Sequence, residues 1–343
     1  MPLAAALRAL VARVVRTQTL VAGAKPWEVK HERFTTEADI YYCFRLLLDR
    51  SPGAEEWKGH ASRVAEDLAS VVGSYCQSRE FLQRGLTRQD ISSQLCCSEI
   101  FGLKIYTDET DLSVGKPIRD GGYESHVVAV FRRFIRPGWN VIDLGANVGY
   151  FSLLAASLVG PSGSVLSIEP NPRNVRLLEA SRRINNIDWL TVIQVAAGRV
   201  AGILVLNTSH SNGTTAAPFQ NIDDFLASEI VACVPVSGLV PSDKPIHFIK
   251  VDVEGAEYNA LLGCQDMLRR DHPIIVSEFA PNSMPSISGI QGEDYLKWLN
   301  EQGYRLGVIL ADGSITPLST STADVMRAFT DSGVDHIDIV AQP

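Results

Sequence analysis

The chain has 343 residues, of which 45% are hydrophobic and 20% charged, so it has room for a large globular domain and a smaller one. Its formal net charge of −8 argues against nucleic acid as a partner, because nucleic-acid-binding proteins usually present a basic surface. Six scattered cysteines without a C-x-x-C pair indicate a reduced, cytoplasmic protein rather than a disulfide framework.

Residues 1–30 are predicted to form a separate amphipathic segment, with a helix over residues 3–16. Arg8, Arg13 and Arg16 interrupt its apolar stretch, which makes it a poor signal peptide. Two interpretations stay open: the basic face contacts a membrane surface peripherally, or the helix packs on its own domain or frays. No transmembrane helix is predicted anywhere in the chain.

Residues 31–100 are predicted to form a small helical domain. Apolar residues recur at helical spacing in ADIYYCFRLLLDR, and residues 85–100 are expected to be a linker helix. The order FRLLLDRSPGAEEW, later followed by SREF, resembles a helical module of bacterial cell-surface and glycan-biosynthesis proteins. This resemblance implies a carbohydrate-related context but no chemistry, and Trp57 is expected in the core of the module.

Strands and helices alternate over residues 101–343. The strands VIDLGA, SVLSIEP, LTVIQVAAG, HFIKVDVEG and PIIVSEF are separated by helical patterns such as residues 149–159 and 172–185. This alternation predicts an α/β fold with a doubly wound, mostly parallel Rossmann-like sheet. Residues 200–239 are predicted to be an antiparallel insertion, and YRLGVIL and HIDIVAQ an antiparallel edge pair.

The glycine loop VIDLGANVGY is the first candidate ligand site. Asp143 is followed by Gly145, Ala146, Asn147 and Gly149, so the spacing is D-x-G-x-x-x-G rather than the G-x-G-x-x-G of dinucleotide sites. Asn147 stands where a glycine would admit a pyrophosphate, and an acid at 143 is placed to meet an ammonium, directly or through water. The loop therefore favours S-adenosylmethionine, which has an ammonium and no phosphate, over NAD.

Residues at the ends of the next two strands complete the predicted cofactor site. Glu169 follows the second strand, where an acid would hold both ribose hydroxyls, with Asn171 in support. The alternative for Glu169 is a solvated loop acid beside Arg173. Ala196 and Ala197 are small enough for an adenine ring to lie against the backbone.

The stretch IKVDVEGAE carries the candidate chemistry. Lys250, Asp252 and Glu254 alternate, so a strand would direct all three to one face, and Glu278 ends a neighbouring strand. Buried acids beside a lysine must be paired. The two open interpretations are an active site and a structural ion pair accompanied by helix-capping acids.

VIDLGANVGYFSLLAA, SIEPNPRNVRLLEAS, VAAG, and KVDVEGAEYNALLGCQDML followed by PIIVSEF together resemble the FkbM-type class I methyltransferases, over about residues 101–343. That resemblance implies S-adenosylmethionine as cofactor and a hydroxyl of a sugar or polyketide as acceptor. It also implies that Tyr123 and Glu124 border the methionine end of the cofactor and that Asp252 and Glu254 face the acceptor. VSGLVPSDK departs from the leucine-aspartate pair usual ahead of K-x-D-x-E-G, which leaves the orientation of the acceptor open.

The predicted reaction is in-line methyl transfer to a hydroxyl of a small molecule, sugar or glycan. Asp252 is the first candidate general base, followed by Glu254, Glu278 and His210, a loop histidine that is otherwise simply solvated. No metal is predicted because no His/Cys ligand cluster exists, and a cation held by Asp252 with Glu278 is the open alternative.

Two other functions are considered. An NAD-dependent sugar oxidoreductase is disfavoured by the loop spacing and by the lack of a Y-x-x-x-K pair. A non-catalytic binding protein with this fold is disfavoured because Asp143, Glu169 and Asp252 are all present. Loops 107–124, 207–221 and 280–292 are expected to select the acceptor. The oligomeric state is left open.

Overall fold

The computed structural model describes residues 33–84, 95–207, 214–215 and 229–343. The chain divides into two compact units, Met1–Ser93 and Gln94–Pro343, which we call the helical unit and the sheet unit. The predicted N-terminal segment, His210 and most of the loop 207–221 lie outside the described residues.

The described part of the helical unit is built from short helices. They span Glu37–Tyr42 (α1, continued by a π-helical turn at Cys43–Leu47), Ala54–Ala61 (α2), Leu68–Cys76 (α3) and Arg79–Gln83 (α4). Ile40, Phe44 and Tyr75 are buried at its centre. Trp57, expected in the core, is only half-buried and packs at the edge of this cluster.

Arg50 joins the two ends of the motif that resembles the bacterial helical module. Its guanidinium donates to the Glu56 carboxylate at 2.7 and 2.8 Å and to the Glu80 carboxylate at 2.5 and 2.9 Å. The same group lies 5.1 Å from the centre of the Phe44 ring. The arginine of the R-x-P turn and the glutamate of S-x-E-F therefore stabilise the fold of the unit together.

The sheet unit contains a seven-stranded sheet of order β12-β13-β11-β10-β3-β4-β5 in which β13 alone is antiparallel to its neighbours. Its strands are Asn140–Leu144 (β3), Ser164–Ile168 (β4), Leu190–Ile193 (β5), Phe248–Val251 (β10), Ile274–Phe279 (β11), Arg305–Val308 (β12) and Ile337–Gln342 (β13). The predicted doubly wound, mostly parallel sheet and its antiparallel edge pair are confirmed. The strand order reverses at β3, so the carboxyl ends of β3 and β10 border a crevice.

Two smaller sheets accompany the large one. Leu95–Ile100 (β1) pairs with Leu103–Asp108 (β2), and Ala196–Ala197 (β6), Gly202–Asn207 (β7), Thr214–Thr215 (β8) and Glu229–Val234 (β9) form a sheet of order β6-β9-β7-β8. The prediction of an antiparallel insertion over residues 200–239 is confirmed by the pairing of β7 with β9. The predicted linker helix is wrong over residues 95–100, because these residues form a hairpin with the next strand, and its residues 85–94 lie outside the description.

Helices cover both faces of the large sheet. They span Gly115–Arg119 (α5), Ser125–Phe134 (α6), Tyr150–Val159 (α7), Pro172–Ile184 (α8), Glu257–Leu262 (α9), Gln265–Asp271 (α10), Met284–Ile287 (α11), Gly292–Glu301 (α12) and Thr322–Ser332 (α13). Two apolar clusters form, one around Phe131, Phe151 and Phe248 and one around Ile249, Phe279 and Tyr295. Since β10 contributes Phe248 to one and Ile249 to the other, its alternating side chains support both layers.

Among the described residues, no helix has the length and hydropathy that a membrane crossing requires. All six cysteines fall within these residues, and each is a free thiol. The cytoplasmic location and the peripheral membrane contact remain predictions.

Replacing Glu80 by Gln removes one charge from the Arg50 network, and we expect it to lower the free energy of unfolding of the helical unit by about 1 kcal/mol, since these side chains are partly exposed. Hydrogen exchange of peptides from residues 37–83 in the full chain measures this change. Glu55→Gln is the matched control, because Glu55 pairs with Lys58 on the exposed surface of the same unit. Equal protection in the two variants would contradict a structural role for the network.

Acid should weaken the same network. The hydrogen bond from Arg50 lowers the pKa of Glu56 from its ordinary 4.5 to about 2. A lowered carboxyl pKa contributes stability above the unfolded value and loses it as the pH falls through the folded value. Protection of the helical unit should therefore decline between about pH 4.5 and pH 2, and less steeply in Glu56→Gln.

Candidate active site

The glycine loop leaves β3 in a conformation that only glycine fits at its start. Gly145 has φ +79°, and its N–H and that of Ala146 donate to the carbonyl of Ile168 at 3.0 and 3.1 Å. A Cβ added at 145 would lie 1.7 Å from the carbonyl oxygen of Asp252. The loop is thus pressed against the end of β10, where the acidic stretch begins.

Asn147 and Glu169 hold the loop to the end of β4. Asn147 has φ +47°, a left-handed conformation that asparagine tolerates better than most residues. Its N–H donates to Glu169 Oε2 at 2.8 Å, and the N–H of Asn171 donates to Oε1 at 2.8 Å. Burial raises the pKa of Glu169 to about 7 against the opposing effect of these two N–H groups.

A cavity of about 800 Å³, including space open to solvent, lies over this loop, and we call it the loop cavity. It is lined by residues of the loop and of the ends of β4, β6 and β10: Val114, Tyr123, Gly145, Ala146, Asn147, Val148, Tyr150, Phe151, Ile168, Glu169, Pro170, Ala196, Ala197, Leu206, Lys250, Asp252, Val253, Glu254 and Ala256. Most of the predicted cofactor residues are therefore brought together around one space.

Three predicted cofactor residues lie behind the cavity wall instead of lining it. Asp143 is fully buried and accepts a hydrogen bond from Ser152 Oγ at 2.5 Å, and its contact with an ammonium stays a prediction. Gly149 is required by packing, because a Cβ there would lie 2.1 Å from Leu178 Cδ1. Asn171 caps α8, where its side chain accepts the N–H of Arg173.

Lys250 is a buried charge between two acids. It is 4% exposed, its Nζ donates to Asp252 Oδ2 at 2.8 Å, and it lies opposite Asp143 in the register of β10 with β3. Burial opposes its charge, but Asp252 and then Asp143 outweigh burial and raise the pKa of Lys250. Lys250 in turn lowers the pKa of Asp252 although burial acts in the opposite direction.

Glu254 reaches the site through a turn and not through strand alternation. Strand β10 ends at Val251, and Glu254 and Gly255 have φ of +55° and +94°, so the predicted strand geometry is wrong beyond Val251. The buried Glu257 carboxylate holds this turn by accepting the N–H groups of Val253 and Gly255 at 3.0 Å each. Even so, the carboxylates of Asp252, Glu254 and Glu278 lie within 4.8 Å of one another, as the sequence predicted.

These acids line a second cavity of about 660 Å³ including its open side, which we call the acidic cavity. Its lining residues are Tyr123, Glu124, Asp252, Glu254, Glu278, Ala280, Ser283, Asp335, His336 and Asp338. Tyr123, Asp252 and Glu254 line the loop cavity as well. A ligand in the loop cavity and one in the acidic cavity would therefore meet at these three side chains.

Some of the crowded carboxyl groups of the acidic cavity are protonated, which reduces the repulsion between them. Burial and then Asp252 raise the pKa of Glu278 well above its usual range, so Glu278 donates a hydrogen bond to the ionised Asp252. Burial followed by Asp252 raises the pKa of Glu124 to about 7. Burial and the charge of Asp252 thus leave Glu278 protonated and Glu124 about half protonated near neutral pH.

Asp335, His336 and Asp338 were missed by the sequence prediction. They precede or begin β13, whose antiparallel course brings its first residues to the carboxyl ends of the parallel strands, with Asp338 opposite Glu278. The sequence feature that could have indicated these residues is the polar run DHID, which leads into the last strand. His210, a predicted base, lies outside the described residues.

Comparison with known proteins supports the resemblance seen in the sequence. Residues 143–306 match the family model described as the methyltransferase FkbM domain, which confirms that resemblance. The chain is 25% identical over 146 residues to Methyltransferase 1 of Beauveria bassiana, an alignment that covers 37% of this chain and 58% of that protein. The chain thus spans less than two thirds of this relative.

Solved structures with some similarity include two described as methyltransferases and one fibrillarin. The FkbM methyltransferase of Methylobacillus flagellatus has a TM-score of 0.37 and 16% identity over 62% of this chain and 50% of that one. The S-adenosylmethionine-dependent O-methyltransferase of Thermotoga maritima has a TM-score of 0.35 and 13% sequence identity, with 64% of each chain covered. Fibrillarin of Aeropyrum pernix, with bound S-adenosyl-L-methionine, has a TM-score of 0.37 and 14% sequence identity. The alignment covers 74% of this chain and 84% of fibrillarin.

Gly145→Ala tests how tightly the loop contacts β10. We expect it to destabilise the sheet unit by clearly more than Gly333→Ala does. Gly333 has φ +68° with no atom near an added Cβ, so its replacement should lower the free energy of unfolding by only about 1–2 kcal/mol. The difference isolates the collision with the Asp252 carbonyl from the cost of the positive φ. Thermal unfolding of the two variants measures it, and equal melting temperatures would disprove the contact.

Proposed function

We propose that this chain, whose residues 143–306 match the FkbM methyltransferase domain, is an S-adenosylmethionine-dependent O-methyltransferase that acts on a hydroxyl of a sugar, glycan or natural product. The observation that carries the proposal is the meeting of the loop cavity with the acidic cavity at Tyr123, Asp252 and Glu254. One cavity suits the cofactor, the other the acceptor, and the transferred methyl group would cross between them.

The charges of the loop cavity favour this cofactor over a dinucleotide. Among the described residues that line it, Lys250 is the cation, and its Nζ is paired with Asp252 at 2.8 Å. Glu169 and Glu254 add negative charge. A pyrophosphate would be repelled by this lining, whereas an ammonium and a sulfonium would be attracted.

Different residues of this chain would bind different parts of the cofactor. Glu169 would accept the ribose hydroxyls, because both of its oxygens are held at the cavity wall by backbone N–H groups. Ala196 and Ala197 leave space for a flat ring, and Tyr123 borders the acidic cavity at the other end. The cofactor supplies an electrophilic methyl group, so the protein mainly aligns the acceptor and excludes water.

The acceptor hydroxyl would bind against Asp252. Lys250 keeps this carboxylate ionised and fixed, which makes it a good acceptor for a hydrogen bond from the hydroxyl. Glu124, Glu254 and Glu278 surround it with further polar groups. A sugar-like acceptor is supported by these hydrogen-bonding groups and by the resemblance of the helical unit to glycan-biosynthesis modules.

Two measurements test the proposal. Isothermal titration of the full chain should give saturable binding of S-adenosylmethionine and none of NAD. Transfer of tritium from labelled cofactor to a panel of methyl glycosides should then exceed the rate without protein. Binding of NAD but not of S-adenosylmethionine would overturn the proposal, and cofactor binding without transfer to any hydroxyl compound would support a non-catalytic protein.

Cofactor affinity should rise with pH. Ribose hydroxyls bind best to an ionised Glu169, whose pKa is about 7 in the free protein. At about pH 6 only about a tenth of Glu169 is ionised, so the Kd should be up to about tenfold higher than at pH 8, with proton release on binding. Calorimetry in two buffers of different ionisation enthalpy measures both.

Glu169→Gln is the control, since Gln cannot titrate. We expect weaker binding with a reduced dependence on pH. If the variant and the wild-type protein show the same pH dependence, Glu169 does not bind the ribose in its ionised form.

A further inference from the structure

We propose that His336 is the general base of the methyl transfer, and that Asp252 orients the acceptor hydroxyl without removing its proton. This inference rests on the proposed function. It changes the assignment of the base from the acidic stretch after β10 to a histidine that the sequence did not single out.

His336 lies where an acceptor would be held. It immediately precedes β13 and lines the acidic cavity together with Asp252 and Glu278. Across the sheet, Phe279 pairs with Ile337, so His336 is level with the carboxyl end of β11. Its side chain is 49% exposed, which gives a proton a path to water after each turnover.

Asp335 fixes the tautomer of the imidazole. His336 Nδ1 lies 2.9 Å from Asp335 Oδ1 and 3.7 Å from Glu278 Oε1. A carboxylate only accepts hydrogen bonds, so Nδ1 carries the hydrogen in the neutral ring. The lone pair is then on Nε2, the nitrogen that can accept a proton from an acceptor in the cavity.

The acids beside His336 are poorer bases. Asp252 is already paired with Lys250 and hydrogen-bonded by Glu278, and its lowered pKa makes it weakly basic. Glu278 holds a proton, so it cannot accept another. Glu124, whose pKa is raised to about 7, is the acid that could also take the proton, although it already accepts a hydrogen bond from the Tyr123 hydroxyl. It is therefore the rival that the experiment must separate from His336.

The step balances without a further reactant. A bond forms between the acceptor oxygen and the methyl carbon, and the sulfur–methyl bond breaks with its electron pair left on sulfur. The hydroxyl proton moves to Nε2 of His336 and then to water. The imidazolium so formed shares the acidic cavity with Asp252 and Glu254 after β10, Glu124 before α6, the protonated Glu278 on β11, and Asp335 and Asp338 on its own stretch. The ionised carboxylates among them stabilise it.

Steady-state kinetics of the full chain test the base directly. The probe is the methyl glycoside that gives the highest wild-type turnover with tritium-labelled S-adenosylmethionine. His336→Gln should lower kcat about 100-fold or more, with the KM for the glycoside and the Kd for the cofactor within about twofold of wild type. It should also lose the decline of kcat at acidic pH that a base imposes.

Three further variants separate the possible causes. Asp252→Asn and Glu124→Gln should keep the acid decline of kcat, whatever their turnover. His126→Gln is the matched control, because His126 pairs with Asp338 at 2.7 Å but is absent from the described lining of the acidic cavity, so its turnover should stay near wild type. Turnover of His336→Gln near wild type with an unchanged pH profile would overturn the proposal, and so would loss of the acid decline in Glu124→Gln alone.

A spectroscopic measurement tests the tautomer without turnover. Long-range proton–nitrogen NMR correlations of the protein without cofactor should show neutral His336 protonated at Nδ1, and a mixture of tautomers in Asp335→Ala. Protonation of the neutral ring at Nε2 in the wild type would overturn the proposal. If the wild type transfers no methyl group to any glycoside probe, the proposed sugar O-methylation fails, and the role of His336 fails with it.

Discussion

The buried charge of Lys250 is the constraint on which the arrangement of the site depends. A lysine that is 4% exposed must be paired, and in this protein its partners are the Asp252 carboxylate at 2.8 Å and the nearby Asp143. Because Asp143 belongs to β3 and Asp252 follows β10, the charge ties together the two strands that flank the crevice. The carboxylate offered to the cavities is therefore held by the core of the sheet and not by a surface loop.

The topology of the sheet explains why so many acids meet at one place. Parallel strands end at the same edge, which brings the turn after β10 next to the end of β11. The antiparallel β13 begins at that edge, and so adds Asp338 and the residues before it. Crowding then forces proton sharing, since Glu278 stays protonated beside an ionised Asp252. The acidic cavity is thus a consequence of strand direction as much as of composition.

The sequence predicted what depends on local pattern and missed what depends on pairing. The alternation of strands and helices was sufficient to predict the sheet. The position of Glu169 after β4 was sufficient to predict that it lies beside the glycine loop. The burial of Asp143 was not predictable from spacing, because it depends on the hydrogen bond from Ser152 and on the charge of Lys250. The convergence of Glu254 was predicted for the wrong reason, and His336 was missed because the direction of the last strand decides which of its ends joins the site.

Gly145 and Gly149 also differ in whether a second substitution could relieve the collision of an added side chain. The atom that a side chain at 149 would strike belongs to Leu178, so a smaller residue at 178 would relieve this collision but not the backbone strain at φ +91°. The atom that a side chain at 145 would strike is the main-chain oxygen of Asp252, which every amino acid carries. No exchange at 252 removes it. The requirement for glycine at 145 is therefore imposed by the polypeptide backbone itself and would persist in a relative that binds a different ligand.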